Sequence, residues 1–128
     1  MGKKVLLVED TVEYREKLTE DLKRGGYDVV SASNGYEGIE ILKKDGDSID
    51  LIVSDLHMPE LNGLEMAKMI FDENMTEAPI MILTTDASKE MKKKGKLAGI
   101  KTWILKPIKK ETFLGTVNLL VEKFGSDS

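Results

Sequence analysis

Five polar side chains in this chain stand where apolar runs stop: Glu9 and Asp10 after Val5 to Val8, Asp55 after Leu51 to Val53, Thr84 after Ile80 to Leu83, and Lys106 after Trp103 to Leu105. The set is three carboxylates, a hydroxyl and an ammonium. Carboxylates brought together repel: two unit charges about 4 Å apart cost on the order of 4 kcal/mol at an effective dielectric of about 20. A proton or a cation must relieve that repulsion. A hard divalent ion with all-oxygen ligands fits, and Mg²⁺, octahedral and keeping several waters, is the expected one. Such a crevice can accept a phosphoryl group beside Asp55, with Lys106 and the Thr84 hydroxyl on its oxygens. Asp55 is then a nucleophile that forms an acyl phosphate, and the chemistry is positioning plus electrostatics.

That chemistry requires elements that bring the five together. The stretch Leu51 to Gly63 is the organising one. Leu51, Ile52 and Val53 show no alternation of polarity, which predicts a strand buried on both faces, as in a parallel sheet. Asp55 ends it, Met58-Pro59 stops the ladder, and Asn62-Gly63 turns into the next helix. Val5 to Val8 predicts the first strand, and Thr11 caps a helix to about Arg24 with Tyr14, Leu18 and Leu22 as its stripe. Gly25-Gly26 ends that helix. Tyr27 to Ala32 predicts a more polar edge strand. A second helix runs from Asn34-Gly35 to about Lys44 with Ile39 and Leu42 inward, and Asp45 to Ser48 reads as a loop. The third helix, to about Asn74, is expected to bury Leu64, Ala67, Ile70 and Phe71.

Ile80 to Leu83 predicts the fourth strand and Ser88 to about Ala98 the fourth helix. Gly95 in that helix costs about 1 kcal/mol relative to Ala, which marks it as the least stable helix. Trp103 to Leu105 predicts the fifth strand. The last helix, about Lys110 to Phe124, is expected to bury Phe113, Val117, Leu120, Val121 and Phe124. Five strands alternating with five helices imply a parallel sheet covered on both faces, with right-handed crossovers. The expected fold is a flavodoxin-like doubly wound (βα)5 sheet of order 2-1-3-4-5. In that order strands one and three are neighbours at the switch point where such sheets bind ligands.

At 128 residues, with 41% hydrophobic and 33% charged, a single globular domain is expected. The net charge of −4 argues against nucleic-acid binding by the domain as a whole. The absence of cysteine excludes disulfides and thiol chemistry. The apolar run near the start is too short for a signal peptide or a membrane span, so a cytoplasmic location without membrane insertion is expected. Four residues, Gly125 to Ser128, follow the last helix, and no effector domain is expected.

The acidic pair Glu9-Asp10, the stretch Asp55-Leu56-His57-Met58-Pro59 with Asn62-Gly63, the Thr84 strand end and Lys106-Pro107 form an ordered set. In that set the chain resembles the receiver domain of two-component response regulators, specifically the stand-alone chemotaxis type (CheY-like), over essentially its whole length. The resemblance implies phosphorylation of Asp55 by a histidine kinase. It implies Mg²⁺ held by Asp10, Asp55 and the backbone carbonyl of His57, with Glu9 acting through water. It implies a cis Lys106-Pro107 peptide and a switch pair of Thr84 and Trp103. Output would pass through the face of helix four, strand five and helix five to a downstream protein, with a monomer expected and dimerisation on phosphorylation open. Two positions depart from the family's pattern. Glu9 replaces the commoner aspartate, and His57 is an unusual occupant two residues after the acceptor; with Asp86 it leaves the phosphoryl lifetime open.

Other readings stand beside these. His57, the only histidine, reads as a solvated loop residue or a modulator of attacking water. Trp103 reads as a core aromatic or a surface switch. Lys89, Lys92, Lys93, Lys94 and Lys96 read as a solvated face or a lure for an acidic partner segment. Met66, Met69 and Met75 read as gap-filling residues rather than a groove. A phosphorelay intermediate of the same fold, passing the phosphoryl group to a histidine phosphotransfer protein, is an alternative function. From another class, a haloacid-dehalogenase-type aspartyl phosphatase would need a general acid at position 57. An FMN module would need glycines and hydroxyls in the first loop, where Glu9-Asp10-Thr11-Val12-Glu13 repels phosphate.

Overall fold

The structure, a computed structural model, describes residues 2–124; Gly125 to Ser128 and Met1 lie outside the described residues. Five strands alternate with five helices: β1 (Lys4–Val8), α1 (Val12–Arg24), β2 (Asp28–Ala32), α2 (Gly35–Asp45), β3 (Leu51–Asp55), α3 (Gly63–Asp72), β4 (Ile80–Thr84), α4 (Lys89–Leu97), β5 (Ile100–Leu105) and α5 (Lys110–Phe124). All strand pairings are parallel, in the order β2-β1-β3-β4-β5. This is the flavodoxin-like doubly wound fold expected from the alternation, with β2 at an edge.

The apolar runs divide their side chains between two layers, because successive residues of a strand point to opposite faces. Val5, Leu7, Leu51, Val53, Met81 and Leu83 pack with Leu18 and Leu22 of α1 and Phe113, Val117, Leu120 and Val121 of α5. Leu6, Val8, Ile52, Ile80 and Ile82 pack with α2 and α3 on the other side, through Ile39, Leu42, Met66, Ala67 and Ile70. Every residue of β3 and β4 is buried, which is why these runs carry no polar alternation.

Several local expectations are corrected. The inward stripe of α3 is Met66, Ala67 and Ile70, while Phe71 is 61% exposed. Spacing by three and four admits either stripe, and the wider apolar residue fell on the wrong one. Phe124 likewise is exposed at the end of α5, where the Lys101 ammonium sits 5.1 Å from its ring centroid. The segment after α2 is a single 3₁₀ turn, Gly46–Ser48, rather than an irregular loop. β5 begins at Ile100, three residues before Trp103, and its mixed pattern reflects its place at the open edge of the sheet.

Two local features fix the ends that matter. Asn62 caps α3 with a full capping box: its side chain accepts from the Glu65 amide at 2.7 Å, and Glu65 accepts from the Asn62 amide at 2.9 Å. Gly63 follows because a Cβ there would lie 2.5 Å from the Asp55 carbonyl oxygen. The start of α3 is thereby clamped against the end of β3, with the Gly63 amide donating to Leu56 O at 2.8 Å.

Candidate functional site

The register sets the site. Val8 pairs with Ser54 and Asp55 with Leu83, so Glu9 leaves β1 beside Asp55, and Thr84 lies one residue past Asp55's partner. Glu9, Asp10 and Asp55 each offer a carboxylate oxygen, and these atoms all lie within 4.8 Å of one another. Lys106, at the end of β5, reaches across: its Nζ is 3.1 Å from Asp55 Oδ2 and 3.8 Å from Glu9 Oε1. Four of the five strand-end residues singled out in the sequence are therefore one constellation.

Glu9 is fully buried. Its Oε2 accepts from the Thr11 amide at 3.0 Å, whereas Oε1 is buried with no hydrogen-bond partner. Its backbone is held from both sides, with the amide donating to Ala32 O at 3.0 Å and the carbonyl accepting from Arg15 at 2.6 Å. Burial, above all, pushes the Glu9 carboxyl up from 4.5 to about 7, with the Asp55 charge adding; the Thr11 amide and Lys106 pull it down. A desolvated carboxylate oxygen that makes no hydrogen bond, has only Lys106 at 3.8 Å as a charge partner and lies close to two more carboxylates is a chemical fit for a hard cation, because one ion would satisfy all three at once. The cluster can hold a metal.

Thr84 is buried, and its hydroxyl oxygen accepts from the Asp86 amide at 2.9 Å. Its carbonyl accepts the Lys106 amide at 2.9 Å, so the chain positions Lys106 from the end of β4. The Lys106-Pro107 peptide is cis. The His57 side chain is exposed, as the loop reading expected.

Trp103 is half-buried and belongs neither to the core proper nor to the open surface. It packs under α4: a Cβ on Gly95 would lie 2.4 Å from Trp103 Cζ2. The helix-weakening glycine is thus a notch for the indole.

One residue of the site escaped sequence reasoning. Tyr14, at the top of the α1 stripe, lays its ring over Lys106, with Nζ 4.6 Å from the centroid. Burial first, then the Glu9 and Asp55 charges, raise its hydroxyl pKa. The stripe spacing of Tyr14, Leu18 and Leu22 was the available signal, since it ends beside the Glu9-Asp10 loop.

Residues 5–118 match the response regulator receiver domain family. The chain belongs to that family. Among relatives, it is 31% identical over 119 residues to protein PilH of Pseudomonas aeruginosa, covering 92% of this chain and 97% of PilH. It is 34% identical over 122 residues to chemotaxis protein CheY1 of Helicobacter pylori, covering 88% and 98%. Among solved structures, chemotaxis protein CheY4 of Vibrio cholerae superposes with a TM-score of 0.87 at 34% identity, over 94% of this chain and 99% of that one. Among the described residues, no helix is long and apolar enough to cross a membrane.

Proposed function

We propose that this receiver domain is a Mg²⁺-dependent phosphoryl acceptor and switch, working in chemotaxis-type signalling. An Asp55 carboxylate oxygen attacks the phosphorus of a phosphohistidine on a histidine kinase. The new O–P bond gives an acyl phosphate as the P–N bond breaks and its electron pair stays with the imidazole. The observation that carries this reading is Lys106 Nζ at 3.1 Å from Asp55 beside the orphaned Glu9 oxygen. That pairing supplies a cation for phosphoryl oxygens on one side and an oxygen set for a metal on the other.

Asp10, Asp55, the His57 backbone carbonyl and Glu9 would hold Mg²⁺, which when bound neutralises charge on the transferring phosphoryl oxygens. Lys106, already 3.1 Å from Asp55, would pair with those oxygens as a second cation. Thr84 offers its hydroxyl to the added phosphoryl group, and its bond from the Asp86 amide is the contact that such a move would alter. Trp103, against Gly95, is the neighbour that would respond. Two states differing in these contacts can differ in partner affinity.

Output is assigned to the α4-β5-α5 face. A groove of about 390 Å³ there is lined by Lys92, Trp103, Leu105, Pro107 and Thr112, among others. Among the described residues, Lys89, Lys92, Lys93 and Lys96 make no ion pair, whereas Lys94 meets Glu90 at 3.6 Å. That charge suits an acidic partner segment. The names of the relatives, chemotaxis proteins among them, support the choice of pathway.

The test is incubation with a small acyl-phosphate donor, with and without Mg²⁺, read by intact mass. The wild type gains one phosphoryl group only with metal, and Asp55→Asn gains none. Equal gain by Asp55→Asn, or gain without metal, contradicts the reading.

A further inference from the structure

Lys106 carries a long, flexible chain, and two carboxylates alone do not define where its ammonium rests. Asp55 Oδ2 lies 3.1 Å and Glu9 Oε1 3.8 Å from Nζ. The Tyr14 ring faces the same ammonium, with Nζ 4.6 Å from its centroid. The side chain of Lys106 is 23% exposed, so this contact is partly desolvated, and an ammonium over an aromatic face is then most strongly held. The ring also packs inward. Leu18 and Leu22, one and two turns along the same stripe, are buried in the sheet, and Tyr14 packs against that layer.

We propose that Tyr14 is a positioning residue for phosphoryl transfer, its ring fixing the Lys106 ammonium over Asp55. The proposal rests on the acceptor role of Asp55 given above. The aromatic face, not the hydroxyl, is the working part. Among the described residues no hydrogen bond from the Tyr14 hydroxyl accompanies the ring contact. Removing the ring lets the lysine chain sample other rotamers and leaves the incoming phosphoryl oxygens less well oriented.

The test compares initial rates of phosphoryl gain from a small acyl-phosphate donor at saturating Mg²⁺. Tyr14→Leu is expected to be slower by roughly tenfold, the scale of one partly desolvated cation–π contact. Tyr14→Phe recovers most of that rate. In a Lys106→Met background, Tyr14→Leu has little further effect, because two residues that act as one unit are not additive. A general loss of packing would instead slow Tyr14→Leu by the same factor in both backgrounds, so additive effects overturn the proposal. So does a Tyr14→Phe protein as slow as Tyr14→Leu, or a Tyr14→Leu protein at the wild-type rate. Proton NMR of the Lys106 ε-methylene protons separates this from the acceptor role: ring shielding is expected in the wild type and in Tyr14→Phe and is lost in Tyr14→Leu. A wild type that shows the shielding but gains no phosphoryl group overturns the acceptor reading and the catalytic consequence for Tyr14. Absent shielding in a wild type that is phosphorylated overturns the Tyr14 proposal alone.

Discussion

At the scale of single residues, Glu9 carries the most testable physics. Its carboxyl titrates near 7 because it is desolvated beside Asp55. The folded protein therefore holds this proton more tightly than the unfolded chain, whose carboxyl keeps a value of 4.5. The stability that the proton contributes is complete below the unfolded value and is lost as pH rises through the folded one. A cation on the same oxygens replaces the proton, so Mg²⁺ affinity should climb as pH goes from about 5 to about 8. Glu9→Gln should flatten that climb. Calorimetric Mg²⁺ titrations check it, and an affinity independent of pH in the wild type would contradict it. The identity of Glu9 as a site residue was legible because it closes an apolar run. Its orphaned oxygen and its contact with the Thr11 amide were not, since they depend on how the loop turns back on itself.

At the scale of elements, legibility followed burial. β1, β3 and β4 are buried on both faces, so their uniform apolar runs located them, with β1 and β4 each extending a residue beyond the run, and β3 ends at Asp55 as the sequence implies. β5 and the inward face of α3 were read less well. Lys101 and Thr102 interrupt the edge strand, and the apolar residues of α3 outnumber those that one stripe can bury. The role of Gly95 was invisible, because it is set by Trp103, eight positions along and in another element. Its substitution should show a reversed sign. At an ordinary helix position Gly→Ala gains about 1 kcal/mol. Here the added Cβ would sit 2.4 Å from the indole. Gly95→Ala should therefore lower the melting temperature and shift Trp103 emission to the red as the ring is pushed outward. A higher melting temperature with unchanged emission would contradict the notch.

At the scale of the whole molecule, the doubly wound order does the assembling. It makes β1 and β3 neighbours at the switch point, which is why residues 46 positions apart in the chain become one carboxylate cluster. The same topology carries Lys106 in from β5 and leaves α4, rich in lysine, flanking the outer end of the sheet. The acceptor role proposed for Asp55 follows from this convergence. It is tested most directly by treating the phosphorylated protein with borohydride, which reduces an acyl phosphate to the alcohol, and sequencing the peptides by mass. Homoserine is expected at position 55, only when Mg²⁺ was present during phosphorylation. Homoserine at another acidic position, or an unreduced phosphate on a hydroxyl or imidazole, would contradict it.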